Sequence, residues 1–156
     1  MSFDTPNGTR GARQPRAGRL FRFLNGMMMT RIRRSHGKTM GMDALVLTTI
    51  GAKSGQPRSS PLAYFAEDAQ NWLIVASAAG APRNPAWYYN LAAHPDQVRI
   101  EIGDRTVDVA AAQLHGEERT RAWQRITSAS KQFAKYQEKT DREIPIIRLT
   151  ARQPHA

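Results

Sequence analysis

Between Ala17 and Arg34 apolar residues recur at helical spacing: Phe21, Leu24, Met28 and Ile32 share one face, with Leu20 and Met27 beside it. Arg19, Arg22 and Arg33 fall on the other side, so the pattern predicts a basic amphipathic helix, weakened at Gly26 by about 1 kcal/mol relative to alanine. The period then shortens. Leu45-Val46-Leu47-Thr48-Thr49-Ile50 is a β-branched run short enough to be one buried strand. Ser59–Ala66 and Asn71–Ser77 read as two strands around a Glu67-Asp68 turn. Pro85–Ala93 reads as a short helix with proline in its first turn and Asn84 as a candidate cap. Val98, Ile100 and Ile102 alternate with polar residues, and Thr106–Leu114 follows across a Gly103-Asp104 turn. A helix opening at Gly116-Glu117-Glu118 runs to about Lys139, with Ser128–Ser130 as a point of interruption. Glu143–Leu149 is the last strand, with Pro145 at its start or on an edge.

Strands arriving as consecutive hairpins, with helices inserted late, argue against a doubly wound parallel sheet. The expectation is an α+β chain, mainly antiparallel β: a small barrel with peripheral helices and a basic N-terminal helix. It divides into a flexible basic tail over residues 1–16, rich in Pro and Gly, the amphipathic helix over 17–40, and the barrel over 41–156.

A length of 156 residues suits one core. The absence of cysteine excludes disulfides, thiolate metal sites and Cys nucleophiles, and is in keeping with a cytoplasmic protein. Net charge is +10, and from Asp4 to Asp43 there is no acid but nine basic residues, Arg10 to Lys38. Such a helix packs on its own domain, lies on the anionic cytoplasmic face of a membrane, or meets nucleic acid. Only Phe21 and Phe23 are interleaved with the cations, which disfavours nucleic acid. His36, His94, His115 and His155 have no metal-ligand spacing, and no serine sits in a Gly-x-Ser-x-Gly elbow.

Two stretches carry candidate chemistry. The first strand ends in Gly51-Ala52-Lys53-Ser54-Gly55, followed by Pro57 and Arg58: either a solvated hairpin turn or a nest of backbone N–H groups reinforced by Lys53 and Arg58 to hold an anion. The second runs from the small residues Ser77–Ala81 to Trp87, Tyr88 and Tyr89. It is either a loop and core aromatics, or a slot for a flat heterocycle. Together they would fit a flavin-like cofactor with a planar head and an anionic tail.

Three ordered motifs narrow the choice: Leu47-Thr48-Thr49-x-Gly51-x-Lys53-Ser54-Gly55-x-Pro57-Arg58-x-x-Pro61-Leu62, Val75-Ala76-Ser77-x-x-Gly80-Ala81-Pro82-x-x-Pro85-x-Trp87-Tyr88-x-Asn90-Leu91, and Tyr136-Gln137-x-x-Thr140-Asp141-Arg142-x-Ile144-Pro145. Over roughly residues 44 to 150 the chain resembles the deazaflavin-dependent nitroreductase family of split β-barrel flavin and deazaflavin oxidoreductases. The resemblance implies coenzyme F420, a deazaflavin whose tail carries a phosphodiester and an oligoglutamate. It places Gly51, Lys53, Ser54, Gly55 and Arg58 on the tail, and Pro61, Ser77, Gly80, Ala81, Trp87 and Asn90 along the deazaflavin. Tyr136 closes the pocket, and Tyr136 and Ser77 are the candidate proton donors. The activity implied is hydride transfer to a quinone-like, enone or nitroaromatic small-molecule acceptor. A flavin mononucleotide enzyme of the same fold and a non-catalytic deazaflavin carrier are the alternatives. The chain departs from the family pattern at Ala52, Ala63, Ala78, Ser130 and Phe133, so reduction of nitroimidazoles is not carried over.

Overall fold

The computed structural model describes residues 3–12, 19–34, 38–39 and 42–152. The chain builds around a hairpin of β2 (Met42–Ile50) and β3 (Pro57–Ala63), in register from Ala44 opposite Ala63 to Ile50 opposite Pro57. A two-residue strand β1 (Lys38–Thr39) pairs with the start of β2. After Tyr64 the chain resumes as β4 (Phe65–Ala66), which pairs not with β2 but with β5 (Asn71–Val75). Then follow β6 (Val98–Ile102), β7 (Arg105–Gln113) and β8 (Ile146–Ala151), all antiparallel to their neighbours. The sheet order is β1-β2-β6-β7-β8-β5-β4, with β3 on the remaining side of β2. Because β3 and β4 are one run of chain, the sheet curls until its two ends share that run, and the barrel closes. Sharing leaves few unpaired strand edges.

Period-two alternation decides which core each strand fills. Leu45, Leu47, Trp72, Ile74, Ile100, Val109, Ile147 and Leu149 point into the barrel with Trp87, Tyr88 and Leu91 of α2 (Ala86–Ala93). The opposite side chains of the same strands, Leu73, Val75 and Ile146, pack under α3 (Gly116–Ala129) and α4 (Lys131–Lys139) through Ala122, Ile126 and Phe133. Burial on both faces is why β5 reads as an unbroken apolar run rather than an alternating one. The interruption falls at Ser130, whose extended φ of −144° separates α3 from α4. Pro145 precedes β8, where it owes no ladder donor, and its carbonyl accepts from Ala76 N–H at 2.9 Å.

Two expectations need correction. The basic helix, α1, is described over Arg19–Arg34, and Lys38–Thr39, placed in the helical division 17–40, are strand. Its apolar face is not buried as a whole: Ile32 is buried on Ala44 and Val46 with Met29 beside it, while Leu24 and Met28 are exposed together with Phe23 and Met27. The side chain of Phe21 lies outside the described residues. Asn84 does not cap α2; Pro85 occupies that position, and Asn84 bonds Arg142 and Thr5 instead.

The amino-terminal residues also depart from a free tail. Residues 3–12 form a strap across the end of the barrel. Thr5 N–H donates to the Tyr88 hydroxyl at 3.0 Å, Gly8 N–H to Pro82 carbonyl at 2.7 Å and Ala12 N–H to Gly80 carbonyl at 3.0 Å. Thr9 and Arg10 donate backbone N–H groups to Asp141 Oδ1, and the Thr9 hydroxyl donates to its other oxygen. Polar, small-residue composition forecasts disorder because it offers little apolar area; here backbone donors and acceptors fix the segment instead.

Candidate active site

The Gly51–Arg58 bend is shaped by its own backbone. Gly51 N–H donates to Gln56 carbonyl at 2.8 Å and Gly55 N–H to Gly51 carbonyl at 2.9 Å. Gly55 sits at φ +69°, a conformation that costs a residue with a Cβ more. From across the barrel mouth, Asn90 on α2 reaches this bend: Ala52 N–H donates to Asn90 Oδ1 at 2.9 Å, and Asn90 Nδ2 donates to the buried Thr49 hydroxyl at 3.0 Å.

Bend and helix thereby enclose a cleft of about 800 Å³, lined by Gly51, Ala52, Lys53, Ser54 and Arg58 on one side and by Arg83, Trp87, Tyr89 and Asn90 on the other. Its lining holds three cations, Lys53, Arg58 and Arg83, and no carboxylate. Among the described residues none of the three forms an ion pair. A site with that charge selects anions. Trp87 both lines the cleft and packs in the barrel core, so the two readings of that aromatic coexist. Tyr88 belongs to the core: it is 2% exposed, its hydroxyl donates to Gln113 Oε1 at 2.6 Å, and burial pushes its pKa up.

Not every residue singled out from the sequence lines this cleft. Gly51, Lys53, Ser54, Arg58, Trp87 and Asn90 do, and Gly55 completes the bend. Pro61, in β3, lies outside the lining, as do Ser77, Gly80, Ala81 and Tyr136. The last four form a second group. Ala78 and Ala79 take φ of +47° and +55°, left-handed geometry held by surrounding structure rather than by residue preference. What holds that loop is Arg142, 2% exposed, whose guanidinium donates to the carbonyls of Ala76, Ser77 and Ala81 and to Asn84 Oδ1. Among the described residues it forms no ion pair, and burial lowers its pKa. Tyr136 packs edge-on against Phe133, its hydroxyl accepts from Gln132 Nε2 at 2.6 Å, and its main-chain carbonyl backs Gly80.

Sequence reasoning missed Arg83 and Asn7 as lining residues, whereas Tyr89, singled out with Trp87 and Tyr88 as a candidate wall of a slot, does line the cleft. Arg83 stands between Pro82 and Asn84 in what reads as a plain turn, and its approach to the cleft follows only from the docking of α2.

Residues 22–151 match the family model described as F420H(2)-dependent quinone reductase. An F420H(2)-dependent quinone reductase of Mycobacterium tuberculosis is 43% identical over 112 residues, covering 70% of this chain and 74% of its own. A solved structure described as an F420-H2 dependent reductase, FDR-A, shares 40% identity at a TM-score of 0.61, over 68% of this chain and 92% of that one. Another, described as a domain-swapped dimer, shares 34% identity at a TM-score of 0.62, over 83% and 98%. With a curled antiparallel barrel and a cation-lined cleft that suits an acidic cofactor, the chain belongs to the F420H(2)-dependent quinone reductase family, a family of reductases whose cofactor is coenzyme F420.

Proposed function

We propose that the protein reduces a flat, quinone-like acceptor with F420H2 held in the cleft between the Gly51–Arg58 bend and α2. The observation that carries this is the cleft's charge: Lys53, Arg58 and Arg83 line it without one carboxylate, which suits a phosphodiester and oligoglutamate tail better than a single phosphate. Bound there, F420H2 supplies a hydride. The bend and its cations grip the tail. Trp87 walls the slot, and Arg142 keeps the Ser77–Ala81 loop in its left-handed shape beside the planar head. Reduction of a quinone to a quinol also takes one proton. Tyr136 and Ser77, which lie outside the cleft lining, and solvent are the candidate sources. Enones and nitroaromatics take hydride by the same chemistry; the family description, a quinone reductase, favours quinones over them.

A second reading concerns where the acceptor is met. Phe23 at 63%, Leu24 at 52% and Met27 at 50% exposure stand beside exposed Arg22, Arg31 and Arg34 on α1. That surface suits peripheral attachment to an anionic, cytoplasmic membrane face, where apolar quinones dissolve. No helix among the described residues is long and apolar enough to cross a membrane.

The deciding experiment titrates F420 fluorescence with wild type and with Lys53→Ala/Arg58→Ala, then follows quinone-dependent oxidation of F420H2. Binding by wild type, its loss in the double variant, and quinone-dependent turnover are expected. Equal affinity would remove the bend from the site. Binding without turnover on any quinone or enone would leave a carrier.

A further inference from the structure

The strap reaches the same cleft, and one residue of it, Asn7, stands in the lining with Arg83, Tyr89 and Trp87. Its side chain is oriented by two donors on a single atom: Tyr89 hydroxyl at 2.7 Å and Asn84 N–H at 3.2 Å both point at Asn7 Oδ1. An oxygen that accepts twice fixes which way round the amide lies. The Nδ2 group, two N–H donors, makes no hydrogen bond among the described residues. The charged residues that line the cleft with it, Lys53, Arg58 and Arg83, are all cations.

The strap is seated by steric fit as well as by hydrogen bonds. A Cβ at Gly11 would lie 2.5 Å from Gly80 carbonyl oxygen and 2.6 Å from Pro82 nitrogen, so the backbones touch where no side chain fits. Phe3 packs edge-on against Tyr88 at 5.5 Å, and Gln113 Nε2 donates to the Thr5 hydroxyl at 2.7 Å. Asn84 Nδ2 holds Thr5 carbonyl at 3.0 Å while Asn84 Oδ1 receives Arg142 at 2.6 Å. Strap, loop and guanidinium are therefore one connected unit.

The geometry points to the amino-terminal strap as a wall of the cofactor cleft, with Asn7 Nδ2 donating to an anionic oxygen of the F420 tail. Asn7 is thus a binding residue that lies outside the part of the chain matching the family model. This rests on the cleft holding F420, and the experiment separates the two.

Asn7→Asp is the informative variant. Its carboxylate still accepts from Tyr89 and Asn84, so the strap stays seated, but the donor pair becomes a negative charge. F420 fluorescence is titrated with wild type and Asn7→Asp, alongside the deazaflavin chromophore lacking the phosphodiester and glutamates. Melting temperature reports the fold. A fall of at least about tenfold in F420 affinity, the weight of one charge-assisted hydrogen bond, is expected with the tail-less chromophore unaffected. Unchanged F420 affinity overturns the assignment. So does an equal loss for both ligands, or a lowered melting temperature that accounts for the loss. If wild type itself binds no F420, the cofactor reading of the cleft falls, and the role of Asn7 with it.

Discussion

Ala52 N–H donates to Asn90 Oδ1 at 2.9 Å, so one side-chain amide ties the Gly51–Arg58 bend to the helix across the cleft from it. The same side chain donates to Thr49 at 3.0 Å on the strand that leads into the bend. Asn90→Ala leaves a buried hydroxyl without its donor and frees the bend. A loss of about 1–3 kcal/mol in unfolding free energy is expected from the unsatisfied groups. F420 affinity should drop too, and denaturant titration with fluorescence titration measures both.

Arg83 faces Lys53 and Arg58 from the opposite wall. Arg83→Ala should weaken F420 binding about tenfold or more, as expected for one charge-assisted contact. The loss should shrink as ionic strength rises, because screening removes the same attraction from wild type. Titration at low and high salt checks both the size and its dependence.

Arg142 donates to three carbonyls and an amide oxygen from a position 2% exposed to solvent. Arg142→Ala strands those acceptors and should cost about 3 kcal/mol or more. Arg142→Lys should recover only part of this, since an ammonium cannot span acceptors placed for a planar fork. Urea unfolding of the pair of variants gives the comparison.

Asp141 is held down to about 2, below its ordinary 3.8, first by the Thr9 hydroxyl and then by the Arg10 and Thr9 amides. A carboxylate depressed on folding stabilises the docked strap fully above its ordinary value and loses that contribution as pH falls through the folded one. Amide chemical shifts of Thr9 and Arg10 should therefore stay constant from neutrality down to about pH 4 and move below it. Asp141→Asn should show the moved positions at neutral pH.

Exposed Phe23, Leu24 and Met27 with Arg22 and Arg31 predict binding to vesicles containing anionic lipid and little to neutral ones. Co-sedimentation with the two compositions tests it, and Phe23→Ser/Leu24→Ser should cut the bound fraction.

The strands were legible because each carries its own period: Val98, Ile100 and Ile102 alternate, and the run from Trp72 to Val75 declares burial on both sides. The bend at Gly51–Arg58 was legible from two glycines around a lysine. What resisted reading depends on long-range pairing of single polar groups. Thr5, Asn7 and Thr9 look like linker residues until Tyr88, Asn84 and Asp141 are placed opposite them. Arg142 shows no partner acid in the sequence because its partners are carbonyls. For α1 the spacing reports a face but not what covers it; among its described side chains Ile32 and Met29 find sheet beneath them.

The closeness of Gly11 to Gly80 and Pro82 also bears on how the protein is handled. A version of the chain trimmed to residue 22, where the match to the family model begins, lacks residues 3–12 and leaves the Tyr88 hydroxyl and the Asp141 carboxylate without the donors those residues supply. It also lacks Asn7, one of the residues that line the cleft, so assays on such a version would not report on the intact lining.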